Sequence, residues 1–282
     1  MRAKDKAADF VERQLAHLSP LFDKLFYFPG DTVNHLAADE DLSHVKEEFF
    51  TNKFSQNIHV WRLTCPSPRL RVIHFHGSGF NMSSHYGHVS WLKDYGCEVI
   101  MFDYPGYGRS TGTPTRITTV GTAYEVADKF SKESNLPTFI LGQSLGGNIA
   151  SVVLTETPRL NRIKGAVLDS MYSSFKELGA VKIQRKYTPK SRLLARLGAL
   201  FISEVDAPLL RAPLVKHPLL VIHSRNDSIV PMSESIKFYR NVGSKDVEFT
   251  SHLDSGHTDV LQRDLSSFRH QVVEWMLTRK RN

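Results

Sequence analysis

Short apolar runs alternate along this chain with longer stretches in which apolar residues return every third or fourth position. The short runs cover residues 70–75, 98–102, 138–141, 164–168, 218–223 and 247–251. Runs of this length, rich in Val, Ile, Leu and Phe and bounded by turn-formers, read as buried strands. The longer stretches cover 83–95, 118–134, 145–156, 233–239 and 265–278 and read as helices. In the second of these, Val120, Ala123, Tyr124, Ala127 and Phe130 make one stripe. Upstream, 45–50 and 58–63 alternate apolar and polar residues, as an antiparallel pair at a sheet edge does. Strand and helix in turn predict an α/β fold: a mostly parallel eight-stranded sheet with helices on both faces.

One strand end carries chemistry. Gly142-Gln143-Ser144-Leu145-Gly146 follows the run 138–141 and opens the stretch 145–156. A serine with glycine two residues to either side, between a strand and a helix, reads as a nucleophile elbow. The turn is so tight that the serine takes a strained backbone, and a Cβ on either glycine would strike a neighbouring element. Further on, Asp227 follows the strand 218–223, and Ser255-Gly256-His257 follows the strand 247–251. A serine hydroxyl needs a neutral imidazole to take its proton, and the imidazole needs a carboxylate to hold its tautomer. Ser, then acid, then His supplies these parts in a known chain order. Asp169, at the end of the strand 164–168, is a rival acid, with Asp227 ahead because it sits in the commoner loop. Asp259 reads as a loop carboxylate or a cap.

The anion formed on attack needs two N–H donors, each worth about 3 kcal/mol to the transition state. Leu145, just past the serine at a helix start, offers one. The loop His76-Gly77-Ser78-Gly79, after the strand 70–75, offers the other, most simply at Ser78, with Gly79 as the alternative.

On these residues the chain resembles the serine α/β-hydrolase superfamily, and within it the Bem46-like group of single-domain hydrolases, with its depalmitoylase- and lysophospholipase-like members. The matching stretches are Leu25 to Pro29, His74 to Gly77, Phe102 to Ser110, Gly142 to Gly147, Asp227 to Pro231 and Gly256-His257. The resemblance implies the α/β-hydrolase fold and cleavage of carboxylic esters or thioesters through an acyl-enzyme on Ser144. It implies catalytic Ser144, Asp227 and His257, and an oxyanion hole of the Ser78 and Leu145 N–H groups. A serine peptidase or an acyltransferase on the same fold is the alternative, and a non-catalytic binding module is the reading from another class.

Length and charge refine this picture. The 282 residues suffice for one domain, expected over 1–282, with an N-terminal helical segment at 1–28 and a cap insertion at 172–213. In the N-terminal segment Val11, Leu15, Leu18, Phe22 and Leu25 form an apolar stripe. The net charge of +7 concentrates in the cap, where Lys182, Arg185, Lys186, Lys190, Arg192 and Arg196 occur with no acid between them. Leu193, Leu194, Leu197, Leu200 and Phe201 give the cap a helical apolar stripe. Two readings stand: a solvated cap that seals an acyl pocket, or a basic lid that touches an anionic membrane surface. Cys65 and Cys97 form no disulfide framework, and no signal peptide is apparent, so a cytoplasmic location is expected. No cofactor, metal or nucleic-acid partner is expected, since no phosphate loop, ligand spacing or nucleic-acid module appears.

Overall fold

A computed structural model describes residues 25–31, 42–155, 160–186, 202–204, 206–253, 255–262 and 266–280. The expected N-terminal stripe from Val11 to Phe22 and the cap stripe from Leu193 to Phe201 lie outside these residues. Ten strands are described: β1 (Phe28–Pro29), β2 (Val45–Thr51), β3 (Asn57–Leu63), β4 (Leu70–Phe75), β5 (Gly79–Phe80), β6 (Cys97–Phe102), β7 (Thr138–Gln143), β8 (Ile163–Asp169), β9 (Leu219–Ser224) and β10 (Val247–His252). The helices are α1 (Arg116–Lys132), α2 (Leu145–Val153), α3 (Phe175–Lys186), α4 (Pro208–Arg211), α5 (Met232–Asn241) and α6 (Ser266–Arg279).

Eight strands form the expected sheet in the order β10-β9-β8-β7-β4-β6-β3-β2. β2 and β3, and β3 and β6, run antiparallel; every other neighbouring pair is parallel. Side chains alternate across a strand, so each buried run feeds two layers. Val72, Val99, Phe139, Val167 and Leu220 enter one layer with Tyr86, Trp91, Leu92 and, from α6, Val272, Val273 and Met276. Their neighbours Ile73, Ile100, Ile140, Ala166 and Leu219 enter the other, with Ala123, Val126 and Phe130 of α1 and Ile149, Ala150 and Val153 of α2. This is why the central runs read as unbroken and the edge strand β2 reads as mixed: every residue of β4, β6 and β7 is buried, whereas four of the seven in β2 are exposed.

The strand order also places a crevice. From β4 the chain moves to β6 on one side and then crosses to β7 on the other, so β4 and β7 are neighbours whose connections leave in opposite directions. In open α/β sheets, ligands bind at the carboxyl ends of strands at such a reversal. Ser144 and the loop after Phe75 lie there, with Phe75 and Gly142 in register.

Two local features differ from expectation. Residues 83–95, expected as one helix, form two 3-10 helices, Met82–His88 and Ser90–Tyr95. The segment Ser83-Ser84-His85-Tyr86-Gly87-His88-Val89 has poor helix formers throughout, so it settles for short, tight turns. Val89 breaks the run at φ −134°. The second feature is a two-stranded parallel sheet, β1 with β5, which pairs Phe28 with Gly79 and Pro29 with Phe80. Two-residue strands carry no periodicity to read.

Candidate active site

Ser144 directly follows β7 at φ 52° and ψ −114°, a region that L-residues rarely occupy, and stands as the N-cap of α2. The flanking glycines permit the turn by close approach. A Cβ on Gly146 would collide with the Phe75 carbonyl oxygen of β4, and one on Gly142 would sit 2.6 Å from the Gly146 carbonyl oxygen. The turn is held by the Ser144 N–H, which donates to the Asp169 carbonyl at the end of β8 (2.8 Å). Gly147 and Asn148 donate to the Ser144 carbonyl. Leu145 is the first helical residue, so its N–H has no acceptor within the helix.

Asp227 and His257 come together from the loops after β9 and β10. His257 Nδ1 donates to Asp227 Oδ2 at 2.6 Å. The other oxygen, Oδ1, accepts from the Ile229 and Val230 N–H groups, both at 2.8 Å. Burial by itself would raise the Asp227 carboxyl. Hydrogen bonds from His223 and His257, the charge of His257 and the Val230 N–H outweigh it and hold the group below the usual carboxylate range. With Asp227 able only to accept, the proton of His257 sits on Nδ1 and Nε2 is left as the basic atom. Among the described residues no hydrogen bond joins Ser144 Oγ to His257. Such bonds commonly tighten only when substrate binds. The two loops nevertheless meet at the end of β8: Asp169 holds the Ser144 N–H, and Ser170 Oγ accepts from the Thr258 N–H at 3.4 Å. Ser170 and Thr258 both take positive φ, 54° and 59°, so strain clusters here as it does around Ser144.

Asp169, the rival acid, makes no described hydrogen bond to His257. Its carboxylate accepts from Gln143 Nε2 (3.1 Å) and Ser170 Oγ (2.9 Å). It is fully buried, and burial raises its carboxyl, with those two donors only partly opposing the effect. Asp259 accepts from the Gly256 N–H at 3.1 Å, which steadies the turn that carries His257.

Several residues at the site gave no signal in the sequence. Gln143 bridges His74 Nε2 (3.0 Å) to Asp169 in a buried chain. His223 Nε2 lies 3.2 Å from Asp227 Oδ2, the same oxygen that holds His257, and its Nδ1 lies 2.7 Å from Ser235 Oγ. Its place four residues before Asp227 is a register that means nothing until β9 is known to end between them. Beside Ser78, His76 and His85 stack at 5.2 Å, and His85 lies 5.3 Å from His88. Burial pushes His85 down to about 4 and His88 to about 3, and holds His74 and His76 well below the usual histidine range, so this group is neutral. Among the described residues no three His, Cys, Asp or Glu side chains are arranged to hold a metal ion.

Comparison with known proteins follows the same outline. The family model Hydrolase_4, described as serine aminopeptidase, S33, matches residues 66–203, which include Ser78, Ser144 and Leu145. The uncharacterized protein YfhR of Escherichia coli K12 is 28% identical over 265 residues, covering 90% of this chain and 86% of that protein. Protein bem46 of Schizosaccharomyces pombe is 25% identical over 203 residues, 71% of this chain and 65% of that one. Among solved structures, the Pyrococcus furiosus esterase Pf2001 superposes with a TM-score of 0.70 at 22% identity, over 90% of this chain and 99% of that one. Strand order, the strained serine turn at the sheet reversal and these matches agree: the chain has the α/β-hydrolase fold and is similar to members of that superfamily.

Proposed function

We propose that the chain is a serine hydrolase that cleaves carboxylic esters or thioesters through an acyl-enzyme on Ser144. The observation that carries this reading is the bond from His257 Nδ1 to an Asp227 carboxylate whose other oxygen is already capped by two backbone N–H groups. It leaves Nε2 as a base on the loop tied to the nucleophile turn. Ser144 Oγ attacks the acyl carbonyl as His257 Nε2 takes its proton, and the oxyanion lies against the Leu145 and Ser78 N–H groups. The tetrahedral intermediate expels the alcohol or thiol, which takes the proton from His257. Water then attacks the acyl-enzyme, gives its proton to His257 and leaves a carboxylic acid as Ser144 Oγ recovers it. A fluorophosphonate probe tests the reading. Covalent labelling of the wild type that disappears in Ser144→Ala supports it, and an unlabelled wild type sinks it. A p-nitrophenyl ester series from acetate to palmitate, with an acyl thioester in parallel, then defines the substrate.

The description of the matching family model favours a second reading, a serine peptidase. Turnover of aminoacyl anilides with no ester preference would replace the first reading by this one. No described helix is long and apolar enough to cross a membrane. A cytoplasmic enzyme with two free thiols, Cys65 and Cys97, remains part of the proposal, as does contact of the basic cap with anionic membranes. Fractionation tests the first, and salt-sensitive binding to anionic vesicles tests the second.

A further inference from the structure

Every carbonyl of the loop from His76 to Phe80 has a donor. His76 O accepts from Tyr104 OH (3.0 Å) and Gly77 O from His76 Nδ1 (2.7 Å). Ser78 O accepts twice, from Tyr107 OH (2.9 Å) and from the Phe28 N–H (3.0 Å). Gly79 O faces His85 Nε2 (3.1 Å), and Phe80 O accepts from the Gly30 N–H (2.8 Å). In a trans peptide, C=O and N–H point in opposite directions, so fixing a carbonyl fixes the N–H of the next residue. The Gly77 carbonyl thus sets the Ser78 N–H, and the Ser78 carbonyl sets the Gly79 N–H. Those are the two groups that the sequence offers for the oxyanion hole.

Tyr107 is fully buried and sits at the centre of this arrangement. Its hydroxyl has one proton, given to Ser78 O, and accepts the Phe28 N–H at 3.1 Å. Burial pushes the phenol far above its ordinary range, so it stays a donor. Edge-on contacts with His76 (5.3 Å) and Tyr104 (5.7 Å) fix the ring. The backbone opposite is equally held. Gly30 O accepts from Asn81 Nδ2 (3.1 Å) and from the Gly108 N–H (3.0 Å), and Phe26 packs on Tyr172 and Phe175.

We infer that Tyr107 is a positioning residue of the oxyanion hole: with the Phe28 N–H it fixes the Ser78–Gly79 peptide plane, which carries the Gly79 N–H and, through the Ser78 Cα, anchors the adjoining plane that carries the Ser78 N–H, so that the loop holds its donors toward the developing anion. The inference rests on the serine-hydrolase reading. Donors held before reaction need no reorganisation in the transition state, so loosening them costs turnover more than substrate binding.

Tyr107→Phe removes only the hydroxyl. Its kcat, per active site titrated, should fall roughly tenfold or more, with KM within about twofold. The Ki of an alkyl boronic acid, whose tetrahedral adduct places an oxygen in the hole, should rise by the factor lost in kcat/KM. Phe28→Pro deletes the second donor to Ser78 O and should show the same split, and titrating active sites counts only folded enzyme in both variants. Wild-type kcat and boronate Ki in both variants, or a loss carried by KM alone, would overturn the inference. If the wild type itself is neither labelled by fluorophosphonate nor active on esters, the serine-hydrolase reading fails instead. The two failures are therefore distinct.

Discussion

Asp169 and Asp227 end adjacent parallel strands or follow them closely, both are buried, and both lie within the electrostatic reach of His257, yet their chemistry differs. Asp227 is surrounded by four donors: His257, His223, and the N–H groups of Ile229 and Val230. Asp169 has two neutral side-chain donors, Gln143 and Ser170. Burial drives both carboxyls upward, but only at Asp227 do the partners win. Depth alone therefore does not decide which way a buried carboxyl shifts. What counts is the number and kind of donors: two imidazoles and two ordered backbone N–H groups at Asp227, against one amide and one hydroxyl at Asp169.

The largest effect should separate the two in catalysis. Asp227→Asn should lower kcat about ten-thousandfold on an activated ester, because the amide no longer selects the Nδ1–H tautomer of His257. Asp169→Asn should cost less than about tenfold. The reverse order would make Asp169 the acid and dissolve the comparison.

Next comes His223, which belongs wholly to the Asp227 side. His223→Ala strips one partner from a buried carboxylate and another from Ser235, and should lower stability by about 1–3 kcal/mol in urea titration. Its kcat should drop with KM little changed. A variant as stable and active as the wild type would reduce His223 to packing.

Stability at neutral pH should also differ in sign. Asp227→Asn presents an NH2 group to a ring of donors and should lower the unfolding midpoint by about 1–3 kcal/mol equivalent. Asp169→Asn removes a charge whose burial is only partly offset, so its midpoint should equal or exceed that of the wild type. A marked loss in Asp169→Asn would mean that Gln143 and Ser170 hold the ion more firmly than described.

The smallest effect concerns acid. A carboxyl depressed in the folded state adds stability that is present above its unfolded pKa, about 4, and is lost as pH falls through the folded value. Asp227 therefore contributes to acid lability. Asp169, raised on folding, carries a penalty at neutral pH that disappears as it protonates, so its contribution runs the other way. Thermal melts from pH 7 to 3 should show a shallower decline for Asp227→Asn and a steeper one for Asp169→Asn. Parallel curves for both variants and the wild type would remove the electrostatic basis of the difference.

Much of this was legible from the chain. The strand from Leu70 to Phe75 matches its predicted bounds, and the other sheet strands fall within three residues of theirs, because burial on both faces demands unbroken apolar residues whatever lies beside them. The serine turn was equally legible: its glycines answer to steric contacts within a few residues and with one neighbouring strand. The two 3-10 helices escaped because a helical spacing of apolar residues does not reveal how poorly Ser, Gly and Val hold an α-helix together.

The sequence by itself determined the order of elements, the double-faced sheet and the strained Ser144 turn, since these depend on periodicity and local sterics. Tertiary structure decided what depends on contacts across long separations. It brought Asp227 and not Asp169 to His257, placed His223 behind that carboxylate, and closed Phe28 and Tyr107 over the carbonyl of Ser78, 50 and 29 positions away. A hydrogen bond is directional and reaches only about 3 Å, so its partners are known only once the strands that carry them are side by side.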